Sequence, residues 1–221
     1  MSEQHKQAVK RRMEREREQR IQGILEAARR VFVAEGYTRA IMEKIALEAG
    51  ITKPTIYQYF KTKDELFFAL MLPVIDDLHV QIGKIERKLA AGKYASGKQL
   101  VHDLIRGAHH SYEVAPESFL MLQFFQQTGL VGKLNEAISS RLDEKGRSNF
   151  TVLRRVIREA MSQGLFKKSP VDETTDVLWA LFTGVIQLEH IKSPERSPAH
   201  LKPTLKVAEQ FIINALAENC P

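Results

Sequence analysis

Residues 36–63 read GYTRAIMEKIALEAGITKPTIYQYFKTK, and this stretch decides the fold of the first part of the chain. Gly50 separates two short helix-forming segments, because a glycine allows the sharp turn that joins them. Thr52 is placed to cap the second segment, and Pro54 falls in its first turn, where a missing backbone N–H is tolerated. Two helices joined by a short turn that contains glycine form the helix-turn-helix pattern.

The second helix of this pair carries many groups that can bind DNA, since its N-terminal residues would face the major groove. A lysine can reach phosphate or guanine, a glutamine amide can bind adenine, and a threonine methyl can pack on thymine. Tyrosine hydroxyls can bond phosphate oxygens, which positions a helix without reading sequence. The alternative is that the tyrosines only pack and the lysine is solvated. We expect base contacts from Lys53, Pro54, Thr55 and Gln58, and phosphate contacts from Tyr57, Tyr59 and Lys63.

Charge and composition favour a DNA-binding protein of the cytoplasm. Residues 1–64 hold 14 Lys and Arg against 9 Asp and Glu, whereas the whole chain holds 33 against 27, so the excess positive charge lies at the N-terminal end. A basic segment favours a polyanionic partner. Cys220 is the one cysteine, so a disulfide within the chain is excluded, as suits a reducing compartment. The longest apolar run, Leu66–Ile75, is about half of the ~20 residues that span a membrane, and no export signal is expected.

Helical periodicity extends over the whole chain, and no strand pattern is sustained. Apolar residues from Ile21 to Phe32 fall on one face of a first helix that Gly36 would end. Thr62 and Glu65 match a capping box that starts a fourth helix, in which Pro73 predicts a kink. The pattern predicts about nine helices and no sheet. The later helices are expected at about residues 98–114, 117–128, 133–163 (ended at Gly164), 169–190 and 204–219, with a loop at 193–203.

The motifs resemble those of the TetR family of bacterial transcription regulators. The matching elements are FVAEGY at the end of the first helix, then IALEAGITKPTIYQYFKTKDELF, within residues 21–70. The resemblance implies a basic extension (1–20), a three-helix DNA-binding domain (21–64) and a ligand-binding and dimerisation domain (65–221). The family often has Thr or Ser at position 41, where it can cap the second helix or contact phosphate. Ile41 can do neither, and Lys44 is only a weak substitute for a DNA contact from this helix. The DNA contacts that the resemblance implies are Thr52, Lys53, Pro54, Thr55, Tyr57, Gln58, Tyr59, Lys63 and Lys44.

Two apolar helices near the C-terminus predict a dimer. The segment Val177–Leu188, VLWALFTGVIQL, is apolar on nearly all sides, so more than one neighbour must cover it. A second copy of the chain is the simplest additional neighbour, and a large monomeric core is the alternative. In a four-helix interface, as in the family, the contacts would be Val177, Leu181, Gly184, Val185, Leu188, Leu205, Ala208, Phe211, Ile212 and Ala215.

A second apolar group is rich in aromatic residues and amides. The segment Phe119–Gln127, FLMLQFFQQ, and a few aromatic residues elsewhere could line a cavity for a lipophilic ligand, although an ordinary core is the commoner meaning of such a stripe. The family resemblance implies a ligand site in this region. The candidate residues are Tyr112, Phe119, Leu122, Gln123, Phe125, Gln126, Trp179 and Phe182.

Two further features leave alternatives open. The Arg-rich residues 10–20 can follow the DNA backbone, because they are basic. They can also form a solvated helix, because their arginines and glutamates have i,i+4 spacing. His102, His109 and His110 could serve a helical metal-binding protein or enzyme, but no zinc-ligand spacing supports this interpretation.

The sequence therefore predicts a ligand-responsive repressor and not an enzyme. It would bind a palindromic operator in double-stranded DNA as a homodimer, and a small lipophilic effector would release it, with a hinge near Pro73. No cofactor, metal or membrane is expected. A constitutive helix-turn-helix protein without an effector is the alternative.

Overall fold

A computed structural model describes residues 3–192 and 201–218. In that part of the chain nine α-helices are present, a 3-10 helix (Leu130–Lys133) precedes the seventh, and one isolated bridge joins Phe166 to Ala217. The predicted all-α fold, with a helix-turn-helix followed by a larger helical region, is confirmed. The helices are α1 (Glu3–Glu35), α2 (Met42–Glu48), α3 (Lys53–Tyr59), α4 (Lys63–Ala90), α5 (Gly97–Val114), α6 (Pro116–Gln127), α7 (Glu136–Ser162), α8 (Val171–Lys192) and α9 (Lys202–Leu216).

Some sequence predictions fall outside the described residues. Cys220 does, and so do residues 193–200 of the predicted loop, whereas α9 already begins at Lys202. The predicted domain boundaries at 20 and 64 stay predictions, because α1 runs across the first and no break in the packing marks the second.

The helix α1 is longer than its apolar stripe. It begins at Glu3, so residues 3–20 continue the helix as an exposed extension. Arg12 Nε donates to Glu16 Oε1 at 2.8 Å, and Lys10 Nζ lies 3.9 Å from Glu14 Oε1. Pairs of this i,i+4 kind stabilise an exposed helix by only a few tenths of a kcal/mol each, about 0.2–0.5.

Turns between the first four helices follow the sequence signals. Gly36 (φ 76°) and Gly50 (φ 65°) both adopt the left-handed backbone that glycine allows without strain. Thr62 Oγ1 accepts from the N–H of Glu65 at 3.1 Å, and Glu65 Oε2 accepts from the N–H of Lys61 at 2.6 Å. The predicted capping box is therefore present, but its carboxylate reaches one residue farther back than Thr62.

One core joins the DNA-reading helices to the rest of the chain. Its N-terminal members come from all of the first four helices and include Ile24, Phe32, Ile45, Ile56, Phe60 and Phe67. Phe125 of α6 and Leu134, just before α7, belong to the same buried cluster. A shift of α6 or α7 would therefore displace side chains that pack against the helix-turn-helix, because close-packed interiors transmit strain.

The central helix α4 packs against α5 and α7. By length and composition it could cross a membrane, and it is the one such helix among the described residues, but 44% of its apolar window is buried inside the protein. Core helices of soluble proteins meet the same criterion. Pro73 lies inside α4, which continues to Ala90, and the predicted hinge there stays a prediction.

Two other segments of the chain pack closely against the backbone at the start of α5. A Cβ on Gly97 would lie 2.1 Å from the carbonyl oxygen of Leu165 and 3.1 Å from Cβ of Ala217. The end of α9 and the segment after α7 therefore both press against this glycine, and only a residue without a side chain fits there.

Candidate DNA interface and effector cavity

The helix α3 presents one buried face and one exposed face. Ile56 is fully buried and Phe60 is 9% exposed, as the sequence predicts for its inward side. Lys53, Pro54 and Gln58 are exposed, so they are free to meet a groove. Thr55, Tyr57 and Tyr59 are half-buried, which leaves part of each side chain at the surface.

Among the described residues, the predicted DNA contact Lys53 pairs with a carboxylate of the preceding helix. Its ammonium forms an ion pair with Glu43 of α2, and this hydrogen bond raises the pKa of Lys53 and lowers the pKa of Glu43. Both groups are largely exposed, so the pair is weak and can open when a phosphate competes for the lysine. Lys44 is held differently, since Nζ contacts both carboxylate oxygens of Glu35 at 2.8 and 3.0 Å.

Lys63 faces inward. Its ammonium donates to the carbonyl oxygens of Tyr37 at 2.8 Å and Ala40 at 3.1 Å, and it lies 4.3 Å from the centre of the Tyr37 ring. Burial lowers the pKa of Lys63. These contacts tie the start of α4 to the loop between α1 and α2, so Lys63 stabilises the helix-turn-helix and is poorly placed for the predicted phosphate contact.

The starts of α2 and α3 have no side-chain caps. Ile41 precedes α2, is 47% exposed and makes no capping bond, as its apolar side chain dictates. Thr52 occupies the N-cap position of α3, but its hydroxyl lies 2.8 Å from the hydroxyl of Thr55 instead of bonding a backbone N–H. Thr52 is exposed and Thr55 is half-buried, so both hydroxyls lie at or near the surface.

The exposed part of α1 lies beside the end of α3. A groove is lined by Tyr59 together with Arg17, Arg20 and Lys10. Arg17 and Arg20 carry no ion pair in the part of the chain that the structure describes. The N-terminal extension therefore adds free positive charge on the side where α3 ends.

Asp64, in the first turn of α4, connects the helix-turn-helix to α7. Its Oδ1 accepts from the Tyr37 hydroxyl, and its Oδ2 accepts from the N–H of Asn135 at 2.7 Å. Asn135 caps α7, because its side-chain oxygen accepts from the N–H of Ala137 at 3.0 Å. Burial and the bond to Asp64 both raise the pKa of Tyr37, so the hydroxyl keeps its proton and donates.

Phe125 reaches the same junction from α6. Its ring stacks on Phe67 with centroids 3.9 Å apart and meets Tyr37 edge-on at 4.8 Å. Phe125 is 1% exposed and lies in the core that joins the DNA-reading helices to the rest of the chain. It was predicted as a cavity residue, but it does not line the cavity and packs in this core instead.

A cavity of about 620 Å³ lies between α4, α6, α7 and α8. This volume is within the range of small-molecule sites, about 300–1,000 Å³. Of the residues predicted for a ligand pocket, five line it: Phe119, Leu122, Gln123, Gln126 and Trp179. Tyr112 instead packs into a core with Phe119, at a centroid distance of 5.4 Å.

Polar groups lie at the mouth and on one wall of this cavity. Gln123 is 8% exposed, and its side-chain oxygen has no hydrogen-bond partner in the described part of the chain. Arg154 Nε lies 2.6 Å from Asp172, whereas Arg147 is exposed without an ion pair to any described residue. The two arginines have no distinguishing signal in the sequence, because α7 carries many charges and only its packing shows which ones face the cavity.

A second, smaller space lies next to the cavity and shares two lining residues with it. Leu78 and Trp179 line both spaces, and Phe182 lines only the second. The second space has a volume of about 50 Å³, and its walls come from α4, α5, α7, α8 and α9. Gln81 is the polar residue on its walls, and its amide donates to Asp77 at 3.0 Å.

The three histidines of α5 have separate partners. His102 Nδ1 lies 3.0 Å from Glu209, and His110 Nδ1 lies 2.9 Å from Asp77. His109 Nδ1 lies 3.4 Å from Glu113 on the same helix. Among the described residues no group of three or more His, Cys, Asp or Glu side chains is placed to hold a metal ion.

Asp103 of α5 lies at the centre of a polar network away from the cavity. It accepts from Lys88 at 2.7 Å, from the hydroxyl of Tyr94 at 3.0 Å and from Arg106 at 2.7 Å. Burial alone would raise the pKa of Asp103, but the bonds from Lys88 and Tyr94 and the charge of Arg106 hold it below its usual value.

An exposed apolar face extends over α8 and α9. On α8 it follows a spacing of three and four residues through Val177, Leu181, Gly184, Leu188 and Ile191, of which Val177 is 62% exposed and Ile191 67%. Phe211 of α9 is 65% exposed and Val207 55%. Val185 is half-buried and Ala215 exposed, as an interface would require.

Three predicted interface residues do not belong to this face. Leu205, Ala208 and Ile212 are each 5% exposed and lie in the cores of their own protomer. The apolar stripe of α9 therefore faces mainly inward, and its exposed edge is formed by Val207 and Phe211. Ile191 was missed because it stands between His190 and Lys192, and Val207 because it lies beside the inward stripe of α9 and not on it.

Comparison with known proteins assigns the N-terminal helices to a family. The family model described as "Bacterial regulatory proteins, tetR family" matches residues 24–70. Over 62 residues the chain is 44% identical to the HTH-type transcriptional activator FasR of Mycolicibacterium smegmatis. That match covers 28% of this chain and 28% of FasR, so the chain shares less than a third of its length with this relative.

Solved structures extend the likeness of fold to most of the chain. The TetR family transcriptional regulator PfmR from Thermus thermophilus superposes with a TM-score of 0.71 at 17% identity, over 88% of this chain and 99% of that one. The transcriptional regulator FadR from Bacillus subtilis, solved in complex with stearoyl-CoA, gives 0.65 at 17% identity, over 87% and 97%. At these identities the likeness shows the fold and leaves the ligand open.

Proposed function

Because its DNA-binding region belongs to the TetR family and the chain has the fold of such regulators, we propose that this DNA-binding transcriptional regulator is a dimeric repressor. It binds a palindromic operator in the cytoplasm and is released by a small, lipophilic effector. The observation that carries the proposal is that α6 and α7 contact both parts of the protein. They line the cavity, and they also pack in the core of the DNA-reading helices.

The DNA contacts fall on the exposed side of α3. Lys53, Pro54, Thr55 and Gln58 meet bases, and Tyr57 and Tyr59 position the helix on phosphates. Thr52 adds a surface hydroxyl at the start of α3. Lys44 stays a weaker candidate because Glu35 neutralises it, and Lys63 acts by holding the α1–α2 loop.

The dimer forms through the exposed face of α8 and α9. Spacing of three and four residues is typical of helices that pack at a shallow angle, about +20°. Gly184 has no neighbouring atom within 4 Å of an added Cβ, so a partner helix can approach there. Two recognition helices must lie about 34–36 Å apart to read successive major grooves, and a two-fold pair supplies that arrangement.

The dimer is tested by charge substitution on this face. Val177→Glu places an unpaired carboxylate in the proposed interface and should yield a monomer at micromolar concentration by light scattering. Val80→Glu is the matched control, because Val80 is 47% exposed on α4 away from this face. A wild-type monomer, or equal behaviour of both variants, would refute the dimer face.

Repression needs fewer contact surfaces on this protein than activation does. A dimer that occupies an operator blocks polymerase by exclusion alone, whereas activation needs a further contact surface. Effector binding can release DNA only if the ligand prefers the conformation that does not fit the operator. The fold shared with FadR, which was solved with stearoyl-CoA, supports a ligand in the cavity between α4, α6, α7 and α8.

Selection of bound fragments from genomic DNA tests the whole proposal. The wild-type protein should enrich a palindromic sequence, and its affinity for that fragment should fall steeply with salt. Gln58→Ala should relax the base preference at one position by about 1–3 kcal/mol. A promoter fused to the fragment should be more active in cells without the protein. Enrichment of no sequence would refute DNA reading, and lower promoter activity without the protein would refute repression.

A further inference from the structure

The exposed extension of α1 is basic on one side. Residues 3–20 carry seven Lys and Arg against four Glu. At about 100° per residue, four of these cations lie within about 40° of the direction in which Ile24 points. They are Lys6, Lys10, Arg17 and Arg20. Ile24 is fully buried in the core of the DNA-reading helices, so the basic side of the extension is in line with the side of α1 that packs on the helix-turn-helix.

A groove of about 770 Å³ lies between this basic side and the end of α3. The four cations line it from α1, and Tyr59, which is half-buried, lines it from α3. Tyr59 is one of the proposed phosphate contacts of α3. A DNA strand whose phosphate binds the Tyr59 hydroxyl would therefore also face the cations of α1.

Most of these cations are available to a ligand. Three of the four are exposed and have no ion pair in the described part of the chain, namely Lys6, Arg17 and Arg20. Lys10 Nζ lies 3.9 Å from Glu14 Oε1, and an exposed pair at that distance is weak. Glu16 also borders the groove, but its carboxylate accepts from Arg12 at 2.8 Å. The groove therefore has an excess of positive charge.

The composition of the groove disfavours two other occupants. Val9 and Met13 are its only apolar residues on the described part of α1, which is too little apolar area to bury in a membrane surface. A second copy of the helix would place the cations of both copies against each other, and such a juxtaposition of like charges is unfavourable. A polyanion neutralises the cations and needs no apolar burial.

The dimensions decide how the extension can meet DNA. From Lys6 to Arg20 the helix rises about 21 Å, and one DNA strand carries about six phosphates over that length. An α-helix with its side chains is about 10–12 Å wide, whereas the minor groove is about 6 Å wide. The helix therefore lies over the backbone and not in the minor groove, and its cations contact phosphates, which carry no sequence information.

We propose that the helical extension of α1 is a second DNA-binding element, which contacts phosphates beside the major groove that α3 reads. This inference rests on the proposed function, because α3 and Tyr59 define the strand that the extension follows. Lys6, Arg17 and Arg20 bind that strand from one side of the groove, and Tyr59 binds it from the other. The extension adds affinity and salt dependence, and α3 alone sets the base preference.

Double substitutions on opposite sides of the extension test this surface. Arg17→Gln with Arg20→Gln removes two cations from the groove. Arg11→Gln with Arg15→Gln removes two cations that point about 140–180° away from Ile24 and do not line the groove. All four arginines are exposed and have no ion pair with a described residue, so the two variants differ only in the side of the helix that loses charge.

The two variants should bind a selected genomic fragment differently. Loss of Arg17 and Arg20 should reduce the slope of log affinity against log salt by about 1.8, and the affinity at about 0.15 M salt by roughly tenfold to thirtyfold. Loss of Arg11 and Arg15 should change the affinity less than about threefold, because a helix diameter exceeds the Debye length of about 8 Å. Both variants should select the same sequence as the wild type. Equal losses in the two variants, or an altered base preference without Arg17 and Arg20, would overturn the proposal.

Hydroxyl-radical footprinting locates the contacts on the DNA. The wild type should protect sugars beside the bases that α3 reads, and the variant without Arg17 and Arg20 should lose that flanking protection and keep the rest. Circular dichroism of each variant shows that it is folded. A footprint that the loss of Arg17 and Arg20 leaves unchanged would contradict the contact.

Failure of this inference and failure of the proposed function give different results. If the protein selects an operator and both variants bind it alike, the extension does not bind DNA and the regulator stands. If the protein selects no sequence but binds mixed-sequence duplex through Arg17 and Arg20, the phosphate contacts stand and the proposed regulator fails. Binding to phosphatidylglycerol vesicles that requires the same two arginines, with DNA affinity unchanged in their absence, would assign the surface to a membrane instead.

Discussion

The bond from Tyr37 to Asp64 gives the sharpest test of how the DNA-reading helices are held. Tyr37→Phe keeps the ring among Phe32, Phe67 and Phe125 and removes only the hydroxyl that donates to Asp64. Asp64 then keeps the bond from the N–H of Asn135 at 2.7 Å. The substitution therefore detaches the α1–α2 loop from α7 without making a cavity.

The expected loss follows from the chemistry of that bond. A hydrogen bond to a charged group contributes about 1.5–3 kcal/mol, and partial exposure of Asp64 lets water replace some of it, so about 1–2 kcal/mol should be lost. For a chain of this size that lowers the melting temperature by about 2–8 °C. If the same bond holds the binding-competent geometry, operator affinity should fall roughly threefold to tenfold.

Tyr94→Phe is a closely matched control. Tyr94 also donates to a carboxylate, Asp103 at 3.0 Å, and also carries a lysine over its ring, Lys88 at 4.2 Å. It should lower the melting temperature by a similar amount and leave operator binding unchanged. Melting is followed by circular dichroism and binding by fluorescence anisotropy on a selected genomic fragment. A change in melting temperature of less than about 2 °C for Tyr37→Phe, the smallest shift expected for 1 kcal/mol in a chain of this size, or equal DNA binding by both variants, would contradict this role of the bond.

Three further outcomes are expected. Gly97→Ala should destabilise the protein by about 1–3 kcal/mol in urea titration, because the added Cβ meets a backbone carbonyl, whereas Gly83→Ala, with its nearest neighbour at 3.5 Å, should stabilise it by about 0.5–1 kcal/mol; equal effects would contradict the close approach. Asp103→Asn should cost most at neutral pH and progressively less in acid. Its lowered pKa means that the carboxylate stabilises the fold above the unfolded value of about 3.9 and loses this effect as pH falls through the folded value; a cost that does not depend on pH would count against the network. Lys53→Ala should reduce the slope of log affinity against log salt by about 1 if the lysine binds phosphate, and relax base preference if it binds guanine, while Lys206→Ala should do neither.

The sequence was sufficient where local signals decide the structure. The glycine at position 50, the inward pair Ile56 and Phe60, and the capping box at Thr62 depend on residues within a few positions of one another, so their spacing predicts them. The all-helical class follows from periodicity over the whole chain. These features need no knowledge of distant contacts.

The remaining site depends on partners far along the chain. Lys63 points to carbonyls 23 and 26 residues away, and an isolated sequence cannot distinguish that contact from a phosphate contact. Phe125 belongs to an apolar run with no clear face, so its packing on Phe67 instead of the cavity was not predictable. The stripe with Leu205 and Ile212 is apolar whether its own core or a second copy covers it, and only the folded protomer decides between the two.

The short helix α6 has a consequence for genetics. Gln123 and Gln126 face the cavity, Phe125 touches the DNA-reading helices, and Gln127 exchanges hydrogen bonds with Gln187 of α8 at 3.0 and 3.3 Å. In a random screen for alleles that still repress the promoter but no longer respond to the effector, the substitutions should therefore cluster in residues 119–127. If the protein is a dimer as proposed, such alleles should be dominant over the wild type, because a mixed dimer would contain one subunit that does not respond.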